Sequence, residues 1–321
     1  MSCQRLTRRE VLRRTLSICG GLAFAAATPL TSRAASAIPA AASGDLDVAY
    51  AGSMGALMEG AVQDEMRSRF GLTWHGRAQG ATALARLIAA DTIKPDVFVA
   101  ATPSPMQIVL AAGKADRAVP IAQTEMVIAY SAQSAFASEF KASANGRGRP
   151  WWQLLERSDV RFGRTDPGTD PQGRNIIFVM ELAAAYYHQP DLVERVLGDT
   201  FNAQQIFPEP TVIARLQTGQ LDASSAYKTQ PAALGIPFLT LRPEVNLGSA
   251  SLASQYQNAH LNIDGKEYRP EPLVFYAAVL NQASNPNAAN AFVRWLTEAD
   301  GQSVLRRFHY DPVQAAKVLT R

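Results

Sequence analysis

Leu46-Asp47-Val48-Ala49-Tyr50-Ala51-Gly52-Ser53-Met54-Gly55 is the stretch from which the fold follows. Residues 46–50 form a short apolar run of strand length, and Gly52 permits a tight turn. From about Met54 to Phe70 the apolar residues recur at helical spacing. Strand, glycine turn and helix in immediate succession make the opening unit of an α/β layer. The pattern repeats along the chain. A strand surrounds Thr73-Trp74-His75, Gly76 to Gly80 reads as a loop, and a helix from about Thr82 to Ala90 carries Leu84, Leu87 and Ile88 on one face. Asp96–Ala100 is a buried strand by composition, broken by Thr102-Pro103. Met126–Tyr130, Val160–Gly163, Phe238–Leu241 and Leu273–Leu280 are further strands. The most apolar helix spans Asn175 to His188, and a last amphipathic helix spans Pro286–Thr297 with Ala291, Phe292, Trp295 and Leu296 inward. Strands alternating with helices predict α/β layers with largely parallel sheets. Trp151-Trp152, at the start of a short Leu154-Leu155 helix, reads as core packing in preference to a stacking platform for a ligand.

The first 37 residues read differently, as an address. Arg5, Arg8, Arg9, Arg13 and Arg14 precede an apolar stretch from Leu16 to Leu30, and Ala35-Ser36-Ala37 closes it. That order describes an export signal cleaved near Ala37, which predicts a periplasmic protein. Thr7-Arg8-Arg9-Glu10-Val11-Leu12-Arg13 resembles a twin-arginine signal,; a general secretory signal with extra arginines is the alternative. A lipoprotein reading of Cys19 fails, because most of the apolar stretch follows the cysteine.

Removing the signal changes what the composition means. The 321-residue chain is 47% hydrophobic and 18% charged, an ordinary globular balance,. Six of its 31 Lys+Arg and one of its 28 Asp+Glu lie in residues 1–37, so 25 basic and 27 acidic residues remain and the formal charge falls from +3 to −2. No basic field points to nucleic acid or to an acidic membrane surface. Both cysteines, Cys3 and Cys19, lie in the signal. A disulfide framework and a cysteine-ligated metal are therefore excluded for residues 38–321.

In open α/β sheets a ligand sits where strands end and helices begin, because unpaired N–H groups and the helix dipole favour an anion there. Three turns have that character: Ala51-Gly52-Ser53-Met54-Gly55, Gly80-Ala81-Thr82, and Asp166-Pro167-Gly168-Thr169-Asp170-Pro171-Gln172-Gly173-Arg174. A Ser, Thr or Asp before a helix also serves as a plain N-cap, so each turn carries both readings.

Taken together, these segments resemble a family. Tyr50-Ala51-Gly52-Ser53, Pro95-Asp96-Val97-Phe98 and the run Gly163-Arg164-Thr165-Asp166-Pro167-Gly168-Thr169-Asp170-Pro171-Gln172-Gly173 occur in order. Gly219-Gln220-Leu221-Asp222, Tyr227-Lys228, Leu241-Arg242-Pro243-Glu244-Val245-Asn246-Leu247 and Ala291-Phe292-Val293-Arg294-Trp295-Leu296 follow. The chain resembles, over most of 46–310, the solute-binding proteins of ABC importers for molybdate and tungstate, in the branch with a DPxxDPxG segment. The resemblance implies a two-lobed periplasmic binding protein fold, type II-like, with a hinge. One lobe would hold 45–125 and take back 270–321, and the other would span 126–269. It implies a monomer that captures a small oxyanion between the lobes, docks to a membrane permease, needs no cofactor and performs no catalysis.

The family's ligand positions map in part. Ser53 matches a hydroxyl donor, Tyr227 lies at a position near the ligand, and Asp170 matches a carboxylate that approaches the metal centre of the oxyanion. Gly80, Ala81 and Thr82 form the second turn, where Ala81 replaces a family serine and Thr82 stands beside it. The second family carboxylate, expected just before Tyr227, falls on Ala226, which leaves one carboxylate. Asp170 reads equally as a helix cap. Arg174 and Lys228 are candidate cationic donors or, alternatively, surface charges. Sulfate or another small anion, and a receptor that reports to a membrane sensor, stay open as alternatives.

Two enzyme classes are weaker readings. Gly52-Ser53-Met54-Gly55 approaches a Gly-x-Ser-x-Gly elbow, with His260 or His309 downstream. That motif, however, needs earlier strands and an oxyanion loop, and Ser53 follows the first strand. A redox enzyme would need a dinucleotide fingerprint or metal-ligand spacing; His75, His188, His260 and His309 are scattered,.

Overall fold

The structure is a computed structural model that describes residues 44–321; the export signal expected at 1–37 lies outside the described residues. The chain builds two sheets. Strands β1 (Gly44–Ala51), β2 (Leu72–Gln79), β3 (Val97–Ala100), β4 (Arg117–Gln123), β11 (Val274–Val279) and β12 (Leu319–Thr320) form the first, in the order β12-β4-β11-β3-β1-β2. Strands β5 (Met126–Tyr130), β6 (Phe162–Gly163), β7 (Ala223–Tyr227) and β8 (Phe238–Thr240) form the second, in the order β6-β7-β5-β8. A hairpin of β9 (Leu261–Ile263) and β10 (Lys266–Tyr268) stands apart. The chain leaves the first sheet between Gln123 and Met126 and returns between Tyr268 and Val274.

Both sheets are covered on both faces, which is why their strands read as apolar runs. In β1, Leu46, Val48 and Tyr50 join one core cluster while Ala49 joins another. In β5, Met126, Ile128 and Tyr130 face one cluster and Val127 and Ala129 the opposite one. Trp151 and Trp152 are buried in the second sheet's larger core beside Tyr187.

The largely parallel pairing expected from the alternation of strands and helices is corrected. Among the strands of the described residues, β1–β2, β1–β3 and β6–β7 pair in parallel and the other strand pairs are antiparallel. The cause is the passage between sheets. A strand that enters through the gap by which its neighbour leaves must run opposite to it. β11 enters beside the departing β4, and β7 ends at Lys228, whose N–H bonds the carbonyl of Glu125 just ahead of β5.

Three elements also differ from expectation. The first helix opens on a 3₁₀ turn at Gly52–Met54, is interrupted after Gly55–Leu57 by a wide π turn at Met58–Val62, and resumes as regular helix at Gln63–Phe70. β2 continues through the expected loop to Gln79, paired with β1 along its whole length. Gly76 lies inside it because a side chain there would collide with Trp74 Nε1 and the Tyr50 hydroxyl. The long apolar helix starts earlier, at Pro171, and ends at Tyr186.

Candidate functional site

Local chemistry sets where the helices begin. Pro171 opens the Pro171–Tyr186 helix, and the Asp170 carboxylate caps it by accepting the Gln172 N–H at 2.9 Å. A proline suits this position because its missing N–H would have no intrahelical acceptor. Pro103 opens Pro103–Ala111, Gly80 precedes Ala81–Ala89, and Pro208 precedes Glu209–Gln217. All four helix starts meet at one cavity of about 560 Å³. On the first sheet's side its wall includes Gly52, Ser53, Gly80, Ala81, Thr82 and Thr102. On the second sheet's side it includes Thr165, Asp166, Thr169, Asp170, Glu209 and Tyr227.

Six of the seven expected site residues therefore come together: Ser53, Gly80, Ala81, Thr82, Asp170 and Tyr227. The seventh, Arg174, stands behind the turn. Its Nη1 donates to the Pro167 carbonyl at 2.8 Å and its guanidinium lies 4.7 Å from the Tyr268 ring centroid. Lys228 is also off the wall, and it is not a free surface charge. It pairs with Asp311, and with Glu125 at 3.4 Å, where β4 gives way to β5. His260 and His309 are not on the wall, so neither is placed as a base for Ser53.

The wall also holds a residue that sequence reasoning missed. Glu209 is the first residue of its helix and lines the cavity with Asp170. The expectation of a single carboxylate, based on Ala226, is thereby corrected. Pro208-Glu209-Pro210 was the available signal, an acid between two prolines at a helix start.

No lysine, arginine or histidine is among the residues that line this cavity. Burial raises the Asp170 carboxyl above the usual carboxylate range, with Asp166 adding to the rise; the Gln172 N–H, Thr165 and Arg174 offset it in part. Burial also raises Glu209, and the Asp170 charge pushes it further; the Gln230 amide, which donates to it, works against this. The Asp170 charge thus makes ionising Glu209 harder than burial alone would,. Asp166 is spent locally, its Oδ1 accepting the Gly168 N–H at 2.8 Å. Burial drives the Tyr227 phenol far above its ordinary value, so it stays neutral. Its oxygen accepts from Asn175 Nδ2 at 3.1 Å, which leaves its own proton to donate,. The cavity thus combines neutral donors and helix N-termini with two costly carboxylates. Such an inventory suits the binding of a small ligand.

Comparison with known proteins agrees with this arrangement. The family described as bacterial extracellular solute-binding protein matches residues 46–311. The molybdate/tungstate-binding protein WtpA of Thermococcus kodakarensis is 29% identical over 255 residues, covering 73% of this chain and 71% of the relative. The substrate-binding domain of a putative molybdenum ABC transporter from Clostridium difficile superposes with a TM-score of 0.57 at 15% identity, over 85% of this chain and all of that one. The sulfate-binding protein SubI of Mycobacterium tuberculosis superposes with a TM-score of 0.55 at 14% identity, over 85% of this chain and 88% of that one. At such identities the two structures establish the two-lobed periplasmic binding fold and nothing about the ligand.

Proposed function

We propose that this chain, which belongs to the bacterial extracellular solute-binding protein family, is the capture subunit of an ABC importer and holds molybdate or tungstate in the cavity between its two sheets. Lobe 1 would comprise 45–125 and 270–321 and lobe 2 would comprise 126–269, with donors from both converging on the anion so that closure and binding are one event. The protein would be exported by its N-terminal signal, act as a monomer in the periplasm and dock transiently to a membrane permease. No helix among the described residues is long and apolar enough to cross a membrane.

The pairing of Asp170 with Glu209 carries the choice of ligand. Two like charges 4 Å apart repel by about 4 kcal/mol at an effective dielectric constant of 20. Sulfate offers a carboxylate only that repulsion, since its sulfur accepts no further oxygen. A molybdenum or tungsten centre can accept carboxylate oxygens as additional ligands, which turns the same two groups into bonds. Ser53, Thr82, Tyr227 and the helix-start N–H groups would then hold the oxo atoms.

A thermal-shift screen with molybdate, tungstate, sulfate, phosphate and thiosulfate tests the reading. A ligand at a hundred times its Kd adds about 2.7 kcal/mol, roughly 5–10 °C for a chain of this size. Molybdate and tungstate should give that shift and sulfate should not. A larger shift with sulfate would transfer the site to that anion, and no shift with any salt would end the oxyanion reading.

A further inference from the structure

Two side-chain amides run between Asp170 and Glu209. The Gln172 N–H donates to Asp170 Oδ1 at 2.9 Å. From the same residue, Nε2 donates to the Ser225 carbonyl at 3.3 Å and reaches Gln230 Oε1 at 3.5 Å. Gln230 Nε2 in turn donates to Glu209 Oε1. Gln172 is buried. Its Pro171–Tyr186 helix, the Thr229–Ala233 helix that carries Gln230, and the Glu209–Gln217 helix each supply one member of this chain.

The two ends fix the direction of the amides. A backbone carbonyl and an ionised carboxylate only accept. The Ser225 carbonyl therefore requires Gln172 Nε2 beside it, and Glu209 requires Gln230 Nε2, which turns Gln230 Oε1 towards Gln172. The two hydrogens of Gln172 Nε2 serve both acceptors. Flipping Gln230 would set donor against donor at Gln172 and acceptor against acceptor at Glu209.

Among the described residues Gln230 is the one group that hydrogen-bonds Glu209, and it takes a single oxygen. The other, Oε2, has no partner there and is not one of the sealed polar atoms. It stays open on a residue that lines the cavity, whereas Gln230 itself is off the wall. An amide is neutral, so it holds the carboxylate without pairing away its charge, as a lysine would.

We propose that Gln230, oriented by Gln172, is a positioning residue that holds Glu209 Oε1 and so presents Oε2 to the central atom of the bound oxyanion. The proposal rests on the molybdate or tungstate reading of this cavity. Groups that orient a metal-binding carboxylate typically carry a ten- to hundredfold share of the affinity.

A double-mutant cycle isolates the role. Wild type, Gln230→Met, Glu209→Gln and the double variant are titrated calorimetrically with sodium molybdate and with sodium sulfate, and the molybdenum K-edge absorption of each molybdate complex is recorded. Gln230→Met should lose roughly ten- to hundredfold in molybdate affinity and much of its preference over sulfate. In the Glu209→Gln background the same change should cost nothing further, because the carboxylate it positions is already gone. The absorption edge of the wild-type complex should depart from that of free, tetrahedral molybdate, and Gln230→Met should move it back. Unchanged affinity and edge in Gln230→Met overturn the proposal while Glu209 keeps its role. An equal loss in both backgrounds also overturns it, since that is the mark of a structural residue. If wild type binds no molybdate, or binds it with the edge of the free ion, the reading of the cavity fails first and the role of Gln230 falls with it.

Discussion

Replacing Gly173 by alanine tests whether the turn that shapes the cavity is held by contact with the helix behind it. Gly173 sits in the first turn of the Pro171–Tyr186 helix with ordinary helical backbone angles. Helix propensity alone would make Gly173→Ala stabilising by about 1 kcal/mol. The surroundings oppose that gain. An added Cβ would lie 2.7 Å from the Asp166 carbonyl carbon and 2.8 Å from the Pro167 nitrogen, and nearer still to the Thr165 oxygen. Ordinary contact begins near 3.4 Å, so the Thr165–Pro167 backbone must retreat by roughly 0.7 Å or more, against the anchorage of Arg164. Overpacking of this kind costs about 1–3 kcal/mol. After the propensity gain, a net loss of up to about 2 kcal/mol remains, or up to roughly 8 °C in melting temperature. The displaced segment carries Thr165 and Asp166 and leads into Asp170, so molybdate affinity should fall at least tenfold. Circular dichroism melts and calorimetric titration read the two effects. Gly55→Ala is the control: it too is helical, but its Cβ would meet nothing within 4 Å, so it should be neutral or stabilising. A Gly173→Ala protein that melts no lower than wild type and binds molybdate equally well would refute the reasoning.

Glu209→Gln should raise the melting point of the protein without anion at pH 7. Burial and Asp170 raise this carboxyl, so its ionised form costs stability once the pH exceeds its pKa, and the amide removes that cost. The same variant should lose molybdate affinity and lose its discrimination against sulfate, as measured by competition titration. Asp222→Asn acts in the opposite sense. Burial pushes the Asp222 carboxyl up, but hydrogen bonds from the Arg161 side chain and N–H and from Ser134 outweigh it and hold it below the ordinary 3.8. Its stabilisation is complete above that value and is lost as the pH falls through the lowered pKa. Urea titrations should show a deficit of about 2 kcal/mol at pH 7 that narrows below pH 3.8. Lys228→Met leaves Glu125 and Asp311 facing each other without their cation. For such half-buried pairs a loss of about 1–2 kcal/mol is expected, and added salt should shrink the difference from wild type.

The Pro286–Thr297 helix and β5 were legible to the residue. The first has a proline after an Asn285 side chain that caps the Ala288 N–H, followed by an apolar stripe; the second is an uninterrupted apolar run. β4 and β7 were not legible. Arg117–Gln123 contains a proline, and Ala223-Ser224-Ser225-Ala226-Tyr227 is small and polar. Only neighbouring strands on either side make strands of these segments, and local pattern carries no such information. The glycine turns of the site were visible because backbone demands mark them. Glu209 was not, because chain return brings it to Asp170 across 39 positions of sequence.

The same reasoning says how the proposed anion site would work without a cation on its wall. The two basic residues nearest in sequence are committed elsewhere: Arg174 ties down the Pro167 turn and Lys228 joins Glu125 to Asp311. The positive field comes instead from four helix starts, each equivalent to about half an elementary charge. Their sum, about two charges, is opposed by Asp170, Glu209 and a third acid on the wall, Asp166. An arriving dianion therefore meets donors but no net positive charge, and net attraction does not select it. On the proposed oxyanion reading, selection would fall to the one property that distinguishes tetrahedral oxyanions here, whether the central atom can bond the carboxylates that would otherwise repel it. A guanidinium on the wall would have pulled in every dianion alike. On the same reading, leaving it out and placing acids there would make the protein's own destabilising charges the basis of its choice.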